Sequence, residues 1–330
     1  MELLNIFSQN LITPAILFFV LGIIAGCIRS DLEIPNSISR YLSIYLMMAI
    51  GFKGGVAIAN TTHLDTQLVL LVAAGLCVSF LQPFIAYYIL RVTSNLDKAT
   101  AAATAAHYGS ISMVTFATAS AFLKSQDVTY AAYIVAIVAL MEGPAILSGL
   151  FIAHRTEPQT NTHVAEQKRL TRDIFTNGAI LLLMGAFLIG WITGERGMEK
   201  MDAFLIKPFD GILALFLLDM GILVAKNINH LKSFTWPLAL FGINMPLIGC
   251  AIGLGLSKLI GLDVGTGMLF TVLCASASYI AVPAAMRLAL PEAKAAIYIP
   301  MSLGITFPFN VVVGIPLYYA LAKVFLKAAQ

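Results

Sequence analysis

Two segments rich in small hydroxyl residues interrupt long apolar stretches of the sequence. They occupy residues 107–115 and residues 274–283, and each places a tyrosine beside its serines. Serine is a preferred N-cap residue, and proline fits the first turn of a helix. Because Pro283 follows closely after Ser278, we expect one helix to begin near Ser278 and another within residues 110–112. Each apolar stretch is therefore predicted to form a broken helix.

The start of a helix inside a membrane is suited to binding an anion. It presents unpaired N–H groups and a partial positive charge, so two such ends can hold an anion without lysine or arginine. Serine hydroxyls add further donors. Small residues also serve simply to pack membrane helices closely, and any one serine fits that role equally well. The pairing of two similar clusters favours an anion site. Its predicted residues are Gly109, Ser110, Ser112, Ser276, Ser278 and Tyr279.

A sodium site is expected beside the anion site. Glu142 lies in the middle of a predicted span, and Thr306 and Asn310 flank Pro308 in another. Carboxylate and carbonyl-type oxygens suit a hard cation such as sodium. The predicted sodium ligands are therefore Thr115, Glu142, Thr306 and Asn310, and no other metal or cofactor is expected. Glu142 could alternatively bind and release protons.

Other ionisable side chains fall inside predicted spans, where they are costly and usually functional. Lys53 and Asp219 lie roughly 10 Å deep, at 1.5 Å of helix rise per residue. They either pair with each other or extend towards opposite membrane faces. The remaining two are His107 and Arg287.

The composition requires lipid around most of the chain. Of 330 residues, 59% are hydrophobic and 11% are charged, whereas soluble domains carry about 25% charged residues. The apolar runs are continuous, which favours spanning helices of about 20 residues over a barrel. We therefore predict an all-α membrane protein with ten spans. They are residues 11–28, 38–59, 67–90, 99–123, 129–153, 173–193, 208–227, 233–257, 264–289 and 296–325.

The two halves of the sequence resemble each other. Residues 54–63 align with residues 221–230, which superposes Gly54 on Gly221 at an offset of 167. At an offset of 164, residues 15–17 match 179–181, and two further pairs coincide: Pro144 with Pro308, and Ser112 with Ser276. Five spans per half is an odd number, so the halves would form inverted repeats, which recur in secondary transporters. The predicted units are residues 1–153, a linker at 154–172, and residues 173–330.

The linker indicates how the chain crosses the membrane. With residues 154–172 in the cytoplasm, twelve Lys and Arg residues fall on that side and eight on the other. The positive-inside rule then favours both termini outside a bacterial inner membrane. The four cysteines lie singly in apolar stretches, without metal spacing, and no basic run suggests nucleic-acid binding.

Several of these segments carry a family resemblance. They are residues 50–60, 108–116, 128–130, 142–145, 276–283 and 315–317. Through them the chain resembles the sodium-dependent bicarbonate transporter superfamily, known from cyanobacteria and other bacteria, over nearly its whole length. It departs from the characterised type at Tyr279, where that type has an acidic residue, and at Glu142, where it has aspartate.

The resemblance implies a fold, a substrate and partners. It implies ten spans in two inverted five-helix repeats, divided into a core domain and a gate domain. It implies bicarbonate between the broken fourth and ninth helices, with sodium nearby. It also implies a homotrimer, and control by a PII-like regulatory protein at the cytoplasmic face.

We therefore predict sodium-dependent uptake of bicarbonate or a similar small anion. A proton-coupled transporter or antiporter using Glu142 or Asp219 remains an alternative. An intramembrane enzyme would need Ser112 as nucleophile and His107 as base, but they lie five residues apart across a predicted break. No His-Glu-x-x-His motif occurs, and no charged ring suggests a channel. The prediction is a transporter and not an enzyme.

Overall fold

The computed structural model describes residues 12–59, 66–154, 178–231, 234–279, 282–283, 285–286 and 290–326. All regular segments in these ranges are helical, as predicted. Most of the predicted linker at 154–172, and Arg287, lie outside them. The α-helices are α1 (Pro14–Cys27), α2 (Asn36–Ala59), α3 (Thr66–Thr93), α4 (Lys98–Gly109), α5 (Met113–Ser125), α6 (Ile134–Leu140), α7 (Glu142–His154), α8 (Gly178–Met201), α9 (Phe209–Leu231), α10 (Trp236–Ile260), α11 (Val264–Ala275), α12 (Ala295–Met301), α13 (Phe307–Phe309) and α14 (Ile315–Phe325).

Four helical stretches of the described chain are long and apolar enough to cross a membrane. They are Thr66–Thr93, Leu181–Lys226, Trp236–Ile260 and Ala295–Phe325. The second contains 46 residues, or about 69 Å of helix, which exceeds twice the roughly 30 Å of a bilayer core. It therefore has the length for two crossings. The protein is a multi-pass membrane protein.

The fourth and ninth predicted spans are interrupted, as the sequence predicts. In the fourth, α4 ends at Gly109 and α5 begins at Met113. In the ninth, α11 ends at Ala275, residues 276–278 are not helical, and residues 282–283 and 285–286 are. The helices α4, α5 and α11 are buried along nearly their whole length. The broken segments are therefore enclosed by protein, which non-helical backbone at membrane depth requires.

The fifth span is also interrupted, which corrects the predicted continuous helix at 129–153. Its first part, α6, ends at Leu140, and α7 restarts at Glu142. Pro144 explains the break, because it lacks the N–H that would bond to the carbonyl of Leu140 and instead fits the first turn of α7. The hydroxyl of Ser79 from α3 donates to the carbonyl of Met141, at the point where the two helices separate.

The sixth and seventh spans are joined by helix, whereas the sequence predicts a loop between residues 193 and 208. A π-helix, Asp202–Ile206, connects α8 closely to α9. Within α8, Gly194 has φ of 55° and bends the helix. Glycine adopts this conformation without the steric penalty that a side chain would meet.

The tenth span is helical as predicted, but it contains two π-helical segments. They are Ser302–Thr306 and Asn310–Gly314, on either side of the short α13. Prolines recur every eight residues at Pro300, Pro308 and Pro316. Each removes one backbone donor, so the regular i to i−4 pattern cannot continue through the span.

The helices form two bundles. In the first, which we call the paired bundle, α1 packs along α9 and α2 packs along α8. The second, the crossing bundle, contains α3–α7 and α10–α14, and here α4 packs on α3 and α7 while α11 packs on α10 and α14. The broken fourth, fifth and ninth spans therefore all belong to the crossing bundle.

Close glycine contacts hold the paired bundle together. A Cβ on Gly22 or Gly221 would collide with the backbone of the facing helix, α9 or α1 respectively. The same holds for Gly55 and Gly190, which bring α2 and α8 together. Small residues let membrane helices approach this closely and gain dispersion contacts.

Two pairs of corresponding residues in the two halves lie 166 residues apart. Gly55 and Gly221 play the same packing role, and the serines that follow α4 and α11 are Ser110 and Ser276. This corrects two predicted pairs, Gly54 with Gly221 and Ser112 with Ser276. Apolar sequences align almost equally well at neighbouring offsets, and only the packing distinguishes them.

Gly221→Ala should destabilise the protein by about 1–3 kcal/mol, because the added methyl group overpacks the α1–α9 contact. Gly211→Ala, in the same helix α9, is the matched control because nothing lies within 4 Å of its Cβ position. It should leave stability unchanged or raise it slightly. Thermal unfolding of the two variants in detergent tests this. Equal melting temperatures would contradict the packing described.

Candidate functional site

The first halves of the two broken helices have the same local structure. Asp97 caps α4 by accepting the N–H of Thr100 at 2.8 Å, and Asp263 caps α11 by accepting the N–H of Thr266 at 2.9 Å. Both helices end at a serine in extended conformation, Ser110 with φ, ψ of −93°, 168° and Ser276 with −92°, 168°. Asp97 precedes the predicted fourth span, residues 99–123. Partial burial raises the pKa of Asp97, but hydrogen bonds from Thr100 and the charge of Lys294 outweigh it and lower the pKa overall.

The two breaks cross each other and are hydrogen-bonded together. The N–H of Ser278 donates to the carbonyl of His107 at 2.8 Å. The N–H of Ser112 donates to the hydroxyl oxygen of Ser276 at 2.9 Å, and that hydroxyl donates to Leu273 at 3.0 Å. The structure thus brings three of the predicted site residues together: Ser112, Ser276 and Ser278.

Both second halves begin at this crossing. The hydroxyl oxygen of Ser112 caps α5, accepting the N–H of Thr115 at 3.2 Å and its hydroxyl at 2.9 Å. The hydroxyl oxygen of Ser278 accepts the N–H of Val282 at 3.4 Å. The electropositive start of α5 therefore lies beside Ser278, after which residues 282–283 and 285–286 are helical.

A long helix packs directly against the first break. A Cβ on Gly109 would collide with Pro83 and with the carbonyl oxygen of Ser79 in α3. Gln82, one residue before Pro83, donates its side-chain amide to the carbonyl of Cys274 at 2.8 Å, in the last turn of α11. Gln82 therefore joins α3 to the second break. Sequence reasoning missed this residue, although an amide beside a proline within a long apolar helix is itself a signal.

The tenth span also reaches the crossing through Thr306. Pro246 in α10 has no N–H to bond to the carbonyl of Gly242, and the hydroxyl of Thr306 donates to that carbonyl at 2.7 Å. Since this uses the Thr306 proton, the Tyr108 hydroxyl, also 2.7 Å away, must be the donor to Thr306. Thr306 therefore links α10 to the end of α4.

Asn310 makes the corresponding link to the second break. Its side-chain amide donates to the carbonyl of Ala275 at 2.9 Å, and its oxygen accepts the hydroxyl of Tyr318 at 2.7 Å. Thr306 and Asn310 thus stand beside the broken helices, as their choice as site residues requires. They lie at the edges of the two π-helical segments, a feature that often marks functional positions.

Several buried polar atoms of the described residues have no hydrogen-bond partner among them. Nearly all buried polar groups in proteins are paired, so these atoms are candidates for holding a ligand. Ser110 lies at the first break. In the described chain, Glu142 forms no hydrogen bond with any of the other three predicted sodium ligands. These atoms include Ser110 Oγ, Gln82 Oε1, His107 Nε2, Glu142 Oε2 and the hydroxyl oxygen of Tyr279.

The remaining predicted residues have distinct surroundings. Tyr279 is close enough to Ser112 for a polar interaction, and its ring meets Phe307 edge-on at 5.3 Å. Lys53 and Asp219 contact different groups: the Lys53 ammonium lies 4.0 Å from the ring centre of Phe209, and Asp219 interacts with the side chain of Ser39.

These features are those of a membrane transport protein. Broken helices whose starts meet inside an apolar bundle are typical of secondary transporters. The family model of the Na+-dependent bicarbonate transporter superfamily matches residues 14–323 of the 330-residue chain. The chain belongs to this superfamily, which is a family of transporters and not of enzymes. No curated protein matches the chain in sequence.

Thr306→Val should destabilise the protein by about 1–3 kcal/mol, because it leaves the buried Gly242 carbonyl and the Tyr108 hydroxyl without their partner. Thr271→Val is the matched control. That hydroxyl is also buried, but it donates to Gly267, whose carbonyl oxygen lies within α11 and also accepts Ser257. Thermal unfolding of both variants measures the difference. If the control loses as much stability as Thr306→Val, the link through Thr306 has no special role.

Proposed function

We propose that this chain takes up bicarbonate, or a similar small anion, together with sodium. The anion binds near the membrane midplane between the half-helix starts at Ser112 and Ser278. The observation that carries the proposal is the crossing itself, where both electropositive helix starts are held side by side. Membership of the Na+-dependent bicarbonate transporter superfamily supports the choice of ions.

The anion is held by dipoles and hydroxyls and not by a buried cation. Helix starts favour negative charge, and serine and tyrosine hydroxyls can donate to carboxylate or carbonate oxygens. Ser110 is the clearest donor, because its buried hydroxyl has no other partner in the described chain. Ser276 and Ser278 keep the two breaks together, Gly109 allows α3 to approach, and Tyr279 covers Ser112.

Sodium binds beside the anion, at Thr115, Glu142, Thr306 and Asn310. Glu142 supplies a negative charge with one oxygen still available, and the other three supply oxygen atoms next to the breaks. A cation close to the site stabilises the bound anion, and the anion stabilises the cation in return. Coupled binding of the two ions follows from this mutual attraction.

The architecture we propose follows from the same observations. Residues 1–153 and 173–330 form two inverted five-helix repeats, supported by the spacing of 166 residues that Asp97 and Asp263, Ser110 and Ser276, and Gly55 and Gly221 share. The crossing bundle is the core domain, which moves with the bound ions, and the paired bundle is the gate domain. Both termini lie outside the bacterial inner membrane, and residues 154–172 lie in the cytoplasm, where they are accessible to a PII-like regulatory protein. The assembly is a homotrimer.

Proton coupling is the second candidate mechanism. It is favoured by one observation, the buried and unpaired Oε2 of Glu142. A carboxyl group in this position can carry a proton in place of sodium across the membrane.

Ser110→Ala should raise the KM for sodium-driven bicarbonate uptake about tenfold to a hundredfold, the equivalent of one lost hydrogen bond to a charged ligand. Ser148→Ala is the matched control, since its buried hydroxyl donates to Ala145 within α7, at 3.0 Å. Uptake of labelled bicarbonate into proteoliposomes measures both. Unchanged uptake by Ser110→Ala would exclude this hydroxyl from the site, and absence of sodium-driven uptake of any small anion in the wild type would refute the proposed function.

Glu142→Gln distinguishes the two coupling ions. With sodium coupling, the variant should lose most of the response to a sodium gradient, and a pH gradient should drive uptake in neither protein. With proton coupling, the wild type should respond to a pH gradient and ignore sodium, and the variant should lose the pH response. Uptake under each imposed gradient, measured separately, decides between them.

A further inference from the structure

A polar pocket of about 370 Å³ lies between the two bundles, away from the crossing. The paired bundle contributes Lys53 from α2 and Phe209 and Asp210 from the start of α9. The crossing bundle contributes the end of α5, including Lys124, and residues 127–130. The pocket is therefore formed by residues from both bundles.

Lys53 supplies an unneutralised positive charge to this pocket. Its ammonium lies over the ring of Phe209, 4.0 Å from the ring centre. In the described chain no carboxylate comes within 4.0 Å of it. Asp210 is near enough to act on Lys53 electrostatically, but it is held by Lys124 at 2.9 Å.

The pocket holds two lysines and two aspartates, so its formal charges sum to zero, but of its two lysines only Lys53 has no carboxylate within 4.0 Å in the described chain. Lys124 and Asp210 neutralise each other, and both are largely exposed. Asp127 is exposed to solvent on the connection after α5. A small anion entering the pocket would therefore meet the ammonium of Lys53, with the hydroxyl of Thr129 nearby as a further donor.

The position of the pocket relates it to the crossing. The helix α5 begins at Ser112, at the crossing, and reaches the pocket at Lys124, about 18 Å further on at 1.5 Å per residue. The next helical segments return to His154, so the pocket lies on the membrane face opposite to that of His154. In the proposed orientation this is the outer face, from which the anion arrives.

We propose that this pocket is an entry site for the transported anion, in which the ammonium of Lys53 binds the anion before it reaches the crossing. This inference rests on the proposed function. An ammonium without an ion-pair partner at the mouth of a pathway raises the rate at which an anion is captured there. An oxyanion reaching Lys124 also competes with Asp210, the partner that joins this lysine to the other bundle.

Lys53→Met tests the proposal, because methionine keeps the apolar contact with Phe209 and removes the charge. Uptake of labelled bicarbonate into proteoliposomes should show KM raised about threefold to tenfold, with Vmax within a factor of two. Inert salt should raise the KM of the wild type by screening and leave that of the variant nearly unchanged. Lys258→Met is the matched control, since Lys258 also stands over a ring, that of Phe325 at 5.8 Å. It should behave as the wild type.

An unchanged KM in Lys53→Met, or a lower Vmax without a change in KM, would overturn the entry site while leaving the proposed function intact. Absence of sodium-driven uptake in the wild type would instead count against the proposed function. In that case a binding measurement decides. The emission of a Phe209→Trp variant should change with sodium bicarbonate more than with sodium chloride, and Lys53→Met in that background should abolish the difference. No difference between the two salts would overturn the entry site.

Discussion

The structure depends on one constraint, which is that backbone leaving a helix at membrane depth must find its hydrogen bonds within the protein. Lipid offers no partner, and each unsatisfied group costs several kcal/mol. The two breaks meet this constraint by pairing with each other, through Ser278 to His107 and through Ser112 to Ser276. Neither break is stable at this depth without the other, so the crossing and the fold require each other.

The surrounding helices extend the same principle. Prolines in α3, α10 and the tenth span remove helical donors, and polar side chains from neighbouring helices meet carbonyls that are left free. Thr306 donates to the carbonyl that Pro246 leaves free. Asn310 and Gln82 donate to carbonyls in the last turn of α11. The atoms that stay unpaired are then few, and those of Ser110 and Glu142 belong to the predicted anion and sodium sites. The same hydrogen bonds therefore stabilise the fold and leave a site that can bind ions.

The sequence predicted the breaks in the fourth and ninth spans because serine caps and prolines act locally. It predicted neither the break at Met141 nor the π-helical segments of the tenth span, although Pro144, Pro308 and Pro316 mark them. The offset between the halves could be determined only from the packing of Gly55 and Gly221, because apolar sequences align at several offsets. The role of Gln82 depends on the distance from α3 to α11, which no local pattern encodes.

The most direct test of the account is a thermal-shift titration of the wild type and of Ser110→Ala with bicarbonate, in sodium and in potassium salts. A ligand that binds the folded state raises apparent stability, by about 2.7 kcal/mol at a hundred times its Kd. We expect bicarbonate to raise the melting temperature of the wild type in sodium, much less in potassium, and little in Ser110→Ala. Equal shifts in both proteins, or no shift with any small carboxylate or carbonate in either salt, would contradict an anion site at the crossing.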